Sequence, residues 1–272
     1  MYNDFYRLKE NPFNITADPE FYFSSVRHDE AFAHLLYGIK QRKGIIVITG
    51  EIGTGKTTLC RTLLNRLDDT TKTALVLNPT FSELQLLQLI LTDLGIKDHF
   101  KNKFTLIEAL NRFLLEQSSL GNNVVLIIDE AQSLKVRQLE QIRLLSNLET
   151  EKEKLLQIIL VGQPELYEML KLPNLRQLNQ RVAVRYHMLP LERPEIKNYI
   201  GHRLHIACEA QGNKHLPEFT EEAIDSIFKF SSGTPRMVNI LCDRALLAGF
   251  TAETRKIDHK IIHHCMQEIG QK

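Results

Sequence analysis

Five short apolar runs, each bounded by polar or turn residues, alternate with stretches whose apolar positions recur every three to four residues. The runs are Ile45–Thr49, Thr73–Leu77, Val124–Ile128, Leu156–Val161 and Val182–His187. A continuous apolar run of this length predicts a strand buried on both faces. Helices are predicted over 28–41, where Ala31, Leu35, Leu36 and Ile39 share one face, and over 56–67, 82–94, 104–118, 134–150 and 165–171. Strand–helix alternation of this kind predicts an α/β fold, a parallel sheet sandwiched by helices.

After Pro190 the strand signal stops. From Glu192 onward only helical periodicity is visible, over 192–210, 220–231, 235–250 and 257–268. The expected organisation is therefore a core over 1–190 and a small all-helical domain over 191–272. Residues 1–27 are irregular and rich in Phe, Tyr and Pro, and read as a strap lying on the core.

Composition narrows the classes of function. The 272 residues are 43% hydrophobic and 25% charged, ordinary values for a globular chain. The formal net charge is +1, and from Glu192 onward basic and acidic residues balance. Neither figure makes an electrostatic case for nucleic acid or an anionic membrane. Cys60, Cys208, Cys242 and Cys265 are far apart, form no C-x-x-C pair and read as thiols of a reducing compartment. The N-terminus lacks a signal-peptide core and no apolar run is long enough to span a bilayer, so a cytoplasmic location without membrane insertion is expected.

Chemistry enters directly after the first apolar run. Gly50-Glu51-Ile52-Gly53-Thr54-Gly55-Lys56-Thr57 is G-x-x-x-x-G-K-T, placed between a predicted strand and a predicted helix. A chance match somewhere in such a chain has odds of about one in a hundred, and the strand–helix setting lowers them further. The glycines allow backbone conformations and close approaches that a Cβ obstructs. Successive N–H groups then cradle phosphates at the positive end of the following helix. Lys56 reaches the β- and γ-phosphates and the Thr57 hydroxyl ligates Mg²⁺; Thr58 closes the segment as a first-turn residue.

The run Val124–Ile128 ends in Asp129 and Glu130. Unpartnered buried carboxylates are costly, so a strand that ends this way delivers them to a cation or a reaction. Beside a phosphate loop, Asp129 belongs to the Mg²⁺ shell and Glu130 activates the attacking water, although Asp129 alone is also an ordinary helix N-cap. Gln163 ends the next core run before Pro164. It reads equally as a turn residue or as an amide placed between the γ-phosphate and the water. Asn78 ends the run Thr73–Leu77, from where it reaches Glu130 in an inactive rotamer or serves no catalytic role. Arg181 precedes the last apolar run and Arg236 opens a C-terminal helix; each is either a source of transition-state charge or a solvated surface residue.

The ordered set of phosphate loop, Val124–Glu130, Gly162-Gln163, Gln180-Arg181 and Gly233-Thr234-Pro235-Arg236 resembles an AAA+ ATPase. Longer stretches resemble the ExeA-type group, the general secretion pathway protein A and its pilus-biogenesis relatives. They are Leu8-Lys9-Glu10-Asn11-Pro12-Phe13, Leu35–Ile39, Arg143–Thr150, Val161–Leu166 and Asn239–Leu247. The resemblance implies a P-loop nucleotide-binding domain followed by a helical lid, with ATP and Mg²⁺ as cofactors. It implies Gln163 as first sensor, Arg236 as second sensor on the chain's own nucleotide, and Arg181 as a finger acting in trans. The last role requires a homo-oligomer, a ring or filament that depends on nucleotide. The strap with Pro12-Phe13 is expected near the adenine.

Secretion-type members continue past the lid into a membrane span and a peptidoglycan-binding region, whereas this sequence stops at Lys272. A stand-alone ATPase, or a short relative of the pilus-biogenesis kind, is therefore expected, with partners among envelope-machine proteins at the inner membrane. The alternative is an ATP-dependent DNA-binding regulator of transposition that recruits a transposase. Lys135, Arg137 and Arg143 could touch DNA in such a ring, but they read better as a solvated helix face. A third reading is a nucleotide-gated interaction module in which hydrolysis is slow. His259 and His263 lie four apart on a predicted helix, with no third ligand at zinc spacing.

Overall fold

The computed structural model describes residues 1–97, 100, 102–208 and 215–270. In chain order its elements begin with α1 (Tyr2–Tyr6), α2 (Val26–Lys40), β1 (Ile45–Gly50), α3 (Lys56–Arg66), β2 (Thr71–Val76), α4 (Glu83–Asp93) and α5 (Lys103–Ser119). They continue with β3 (Asn123–Ile128), α6 (Val136–Leu145), β4 (Gln157–Gly162), α7 (Pro164–Leu170), α8 (Arg176–Gln180) and β5 (Val182–Met188). The C-terminal part holds α9 (Arg193–Ile206), β6 (Glu218–Phe219), α10 (Glu221–Ser231), α11 (Pro235–Thr251), β7 (Lys256–Ile257) and α12 (His259–Gly270). The chain forms two compact units: a sheet unit of His28–Ile52 and Leu59–Met188, and a helical unit of Met1–Arg27, Gly53–Thr58 and Leu189–Lys272.

In the sheet unit all five strands are parallel, in the order β2-β3-β4-β1-β5. β1 and β4 are buried at every position, which is why both read as unbroken runs of Ile, Val and Leu rather than as alternation. Alternate residues of the strands face opposite layers. Ile45, Val47, Val124, Leu126, Ile128, Ile158 and Leu160 pack with Leu86, Leu87 and Ile90 of α4, Leu110 of α5, Ile142 of α6 and Leu166 of α7. Helix α2 lies by the edge strand: Tyr186 of β5 donates to Glu30 at 3.0 Å, and its ring lies 5.2 Å from that of His34. The Arg66 guanidinium at the end of α3 sits 4.8 Å over the Phe32 ring of α2.

Local chemistry sets the helix ends. Ser82 and Gln85 bond reciprocally at the start of α4, as do Asn102 and Thr105 at the start of α5, so orphan N–H groups are satisfied. The helix expected over 134–150 is shorter than its periodicity. α6 ends at Leu145, where Ser146 donates its hydroxyl to the Arg143 carbonyl and Asn147 and Leu148 make tighter three-residue bonds. A single bridge between Glu149 and Lys154 then turns the chain toward β4.

The helical unit buries Leu191, Ile196, Ile200, Ile224, Ile227, Val238, Leu241, Leu246 and Ile262 together with Tyr6, Leu8, Phe13 and Phe21. The segment expected as a strap on the core thus has its buried aromatic residues in this unit. The Tyr6 hydroxyl faces the carbonyls of Leu246 and Thr254 at 3.2 and 3.3 Å, and burial pushes its pKa up to about 12. Two further features depart from the sequence reading. The unit is not purely helical, because Glu218–Phe219 and Lys256–Ile257 pair as a short parallel ribbon; two residues are too few for any periodicity to show. The helix expected over 192–210 runs as Arg193–Ile206, and its expected residues 209 and 210 lie outside the described residues.

Candidate active site

β1 delivers the phosphate-loop sequence at its C-terminal end, the end where parallel sheets carry ligands. Gly50 closes the strand, and Glu51 and Ile52 are exposed. Gly53 and Gly55 adopt φ of 83° and 96°, the left-handed region that an L side chain resists. α3 then starts at Lys56, so the helix N-terminus follows directly on the glycines. Thr54 and Lys56 are buried at 1% and 6% exposure, whereas Thr57 and Thr58 are half-buried.

Within the helical unit, Gly53 meets the start of α11. The Arg236 N–H donates to the Gly53 carbonyl at 3.2 Å, and a Cβ on Gly53 would lie 2.6 Å from Cβ of Arg236. Arg236 is therefore held by its backbone beside the loop, while its side chain is exposed.

In the sheet unit, β3 ends as the sequence reading anticipates. Asp129 is 2% exposed, its backbone N–H bonds the Val76 carbonyl at 2.8 Å, and its Oδ1 accepts from the Glu130 N–H at 2.8 Å. Glu130 itself is half-buried and left-handed, with φ 52° and ψ 36°. Oε2 of its carboxylate accepts from Nε2 of Gln132 at 2.5 Å and from Nε2 of Gln163 at 3.3 Å. The amide of Gln163 thus lies beside the carboxylate, while its backbone caps α7.

Gln132 was not among the residues singled out from the sequence. It sits in a single 3₁₀ turn, Ala131–Ser133, where no periodicity marks it. The only available signal was its position two residues beyond a carboxylate pair.

Asn78 is exposed and forms no hydrogen bond with Glu130. Arg181 is exposed at the end of α8 and, among the described residues, makes no ion pair. The carboxyl of nearby Glu149 is held below its ordinary range, first by the hydrogen bond from Lys154 and last by the charge of Arg181. Of the basic residues on the helix after Glu130, Lys135 and Arg137 are exposed and Arg143 pairs with Glu140 at 2.8 Å.

Left-handed glycines ahead of a helix N-terminus suit a phosphate chain. In the sheet unit, the buried Asp129 carboxylate is a hard oxygen donor of the kind Mg²⁺ takes.

Residues 39–170 match a family model described as an AAA domain. The chain is 42% identical over 271 residues to general secretion pathway protein A of Aeromonas hydrophila, an alignment covering 99% of this chain and 49% of that protein. The chain therefore spans about half the length of that relative. Among solved structures, CDC6P from Pyrobaculum aerophilum superposes with a TM-score of 0.66 at 17% identity, over 92% of this chain and 70% of that one. The ORC2 protein of Aeropyrum pernix, in ADPNP–ADP complexes, superposes with a TM-score of 0.63 at 16% identity, over 90% and 67%. These two likenesses carry the fold.

Proposed function

Because the chain is an AAA+ protein of the ExeA type, we propose that it is a Mg²⁺-dependent ATPase converting ATP and water to ADP and phosphate. Its nucleotide cycle drives assembly or remodelling of its own oligomers for a cell-envelope machine. The observation that carries the hydrolytic part is Glu130, a carboxylate at the end of a buried strand with two amides on one oxygen.

In this reading each residue has a limited task. The backbone of Gly50–Thr57 binds the phosphates and Lys56 neutralises their charge. Thr57 and Asp129 hold Mg²⁺, which when bound stabilises charge on the phosphoryl oxygens. Glu130 takes the proton of the attacking water, and Gln163 orients that water. Arg236 adds positive charge at its own chain's nucleotide, and Arg181, exposed and without an ion pair among the described residues, serves a neighbouring copy. No role in this scheme falls to Asn78.

Similarity to a secretion-pathway protein supports a partner among type II secretion or type IV/MSHA pilus components at the inner membrane. Among the described residues no helix is long and apolar enough to cross a membrane. The test is phosphate release by purified protein with Mg²⁺-ATP, across a range of protein concentrations. Turnover that Lys56→Ala and Glu130→Gln both abolish supports the reading. Wild-type release no higher than that of Lys56→Ala overturns it.

A further inference from the structure

Gln132 uses both ends of its side chain. Nε2 donates to Oε2 of Glu130 at 2.5 Å, and Oε1 accepts from the backbone N–H of Gln163 at 3.0 Å. A primary amide can bridge an acceptor and a donor in this way, whereas neither a carboxylate nor an ammonium can do both. The neighbouring strand end is shaped to admit it. A Cβ on Gly162 would lie 2.8 Å from Oε1 of Gln132 and 3.3 Å from its backbone nitrogen. Glycine at 162 thus lets the amide lie flat against the end of β4.

Both amide donors act on the same carboxylate oxygen, Oε2. Oε1 of Glu130 has no protein hydrogen-bond partner among the described residues. The two oxygens are therefore not equivalent: one is anchored and the other is presented. Rotation of the carboxylate would exchange them, and the bridge through Gln132 resists that rotation.

We infer that Gln132 is a positioning residue for hydrolysis, clipping the carboxylate of Glu130 to the end of β4 so that Oε1 is the oxygen that receives the proton. This rests on Glu130 being the general base, as proposed above. A general base works only when aligned with the proton it takes, and misplacement by about 1 Å can cost a hundredfold in rate. Because the clip ends on the backbone of Gln163, movement of that strand end turns the carboxylate with it. Both side-chain hydrogen bonds of Gln132 go to Glu130 and Gln163, so its loss is expected to act on turnover more than on binding.

Two measurements test this. In protein labelled with ¹⁵N in glutamine side chains, the Gln132 amide pair is identified by its absence from Gln132→Met. The expected result is that Glu130→Ala, which removes the acceptor, and Gly162→Ala, which crowds Oε1, both move that pair. A pair that stays in place in Glu130→Ala overturns the inference. In steady-state kinetics, Gln132→Met is expected to lower kcat by about tenfold to a hundredfold, with KM and ADP affinity changed by less than about twofold. Gln132→Glu, which sets a second carboxylate against Glu130, is expected to lose at least as much. If Gln132→Met turns over like wild type while Lys56→Ala is inactive, the role of Gln132 falls and the hydrolytic reading stands. If wild type has no Lys56-dependent turnover, the hydrolytic reading falls and the positioning role falls with it.

Discussion

Arg203 on α9 donates its Nε–H to the carbonyl of Pro12, 191 positions earlier in the chain, at 2.5 Å. Its Nη2 reaches the carbonyl of Asn14 at 3.0 Å, and its guanidinium lies 4.6 Å over the Phe21 ring. At 6% exposure this is a buried cation whose charge is met by two backbone dipoles and an aromatic face. It fixes the N-terminal segment to the helical unit.

Replacing Arg203 by Met keeps the volume but leaves the carbonyls of Pro12 and Asn14 without their donor. The expected cost is about 2 to 4 kcal/mol in urea unfolding. Arg203→Lys should recover little, because one ammonium cannot reproduce a planar fork stacked on a ring. A loss below about 0.5 kcal/mol for Arg203→Met would show that the fork is not what holds the segment.

Stability should fall on mild acidification because of His202. The imidazole packs 5.6 Å from the Phe23 ring, and its pKa is depressed, first by burial and then by the charges of Arg203 and His205; a backbone hydrogen bond with Tyr22 opposes this. A folded-state value below the ordinary 6.5 means that the unfolded chain takes up the proton first as pH falls. The neutral imidazole therefore contributes stability above 6.5 that is lost as pH drops from there through the folded-state value. His202→Phe should flatten the dependence of Tm on pH in that window. An unchanged slope would assign it to other groups.

Two glycines with similar backbone angles should respond differently to alanine. Gly233, at φ 76°, would place a Cβ 2.0 Å from the Leu191 carbonyl oxygen, whereas Gly95, at φ 79°, has nothing within 4 Å. Gly95→Ala should cost about 1 kcal/mol, the penalty of a left-handed alanine. Gly233→Ala adds a backbone collision and should cost about 3 kcal/mol or more. Equal losses in thermal unfolding would remove the steric part of the explanation.

Gly53→Ala should weaken nucleotide binding with little effect on the sheet unit. The new Cβ would meet Arg236 at 2.6 Å in a left-handed conformation, so the loop must leave its present path. Calorimetric titration with Mg²⁺-ADP is expected to show affinity at least about tenfold lower, a cost of one displaced turn. Wild-type affinity would mean that phosphate binding tolerates a different path at Gly53.

The sheet was legible in the sequence because β1 and β4 have no solvent face and so carry unbroken apolar runs. The G-x-x-x-x-G-K-T segment was legible for a different reason: its spaced glycines allow the left-handed backbone found at Gly53 and Gly55. Strand order was not readable, since the placing of β4 between β3 and β1 depends on contacts far apart in sequence. The end of α6 was overrun because Leu148 continues its apolar stripe while the backbone has already left the helix at Ser146. Phe13 and Phe21 gave no hint of which unit they fill, as an aromatic residue in an irregular segment has no periodic face to read. Gln132 escaped notice because a side chain that works through geometry in a turn leaves no pattern at all.

The left-handed backbone of Glu130 sets stability against selection for activity. Holding a glutamate at φ 52° costs about 1 kcal/mol that a glycine would not pay. A library of variants sorted by heat resistance alone should therefore enrich glycine at position 130, whereas a library sorted by growth that needs the active protein should keep glutamate. Sequencing both pools would test the proposed hydrolytic requirement, which predicts that the two sorts disagree at position 130.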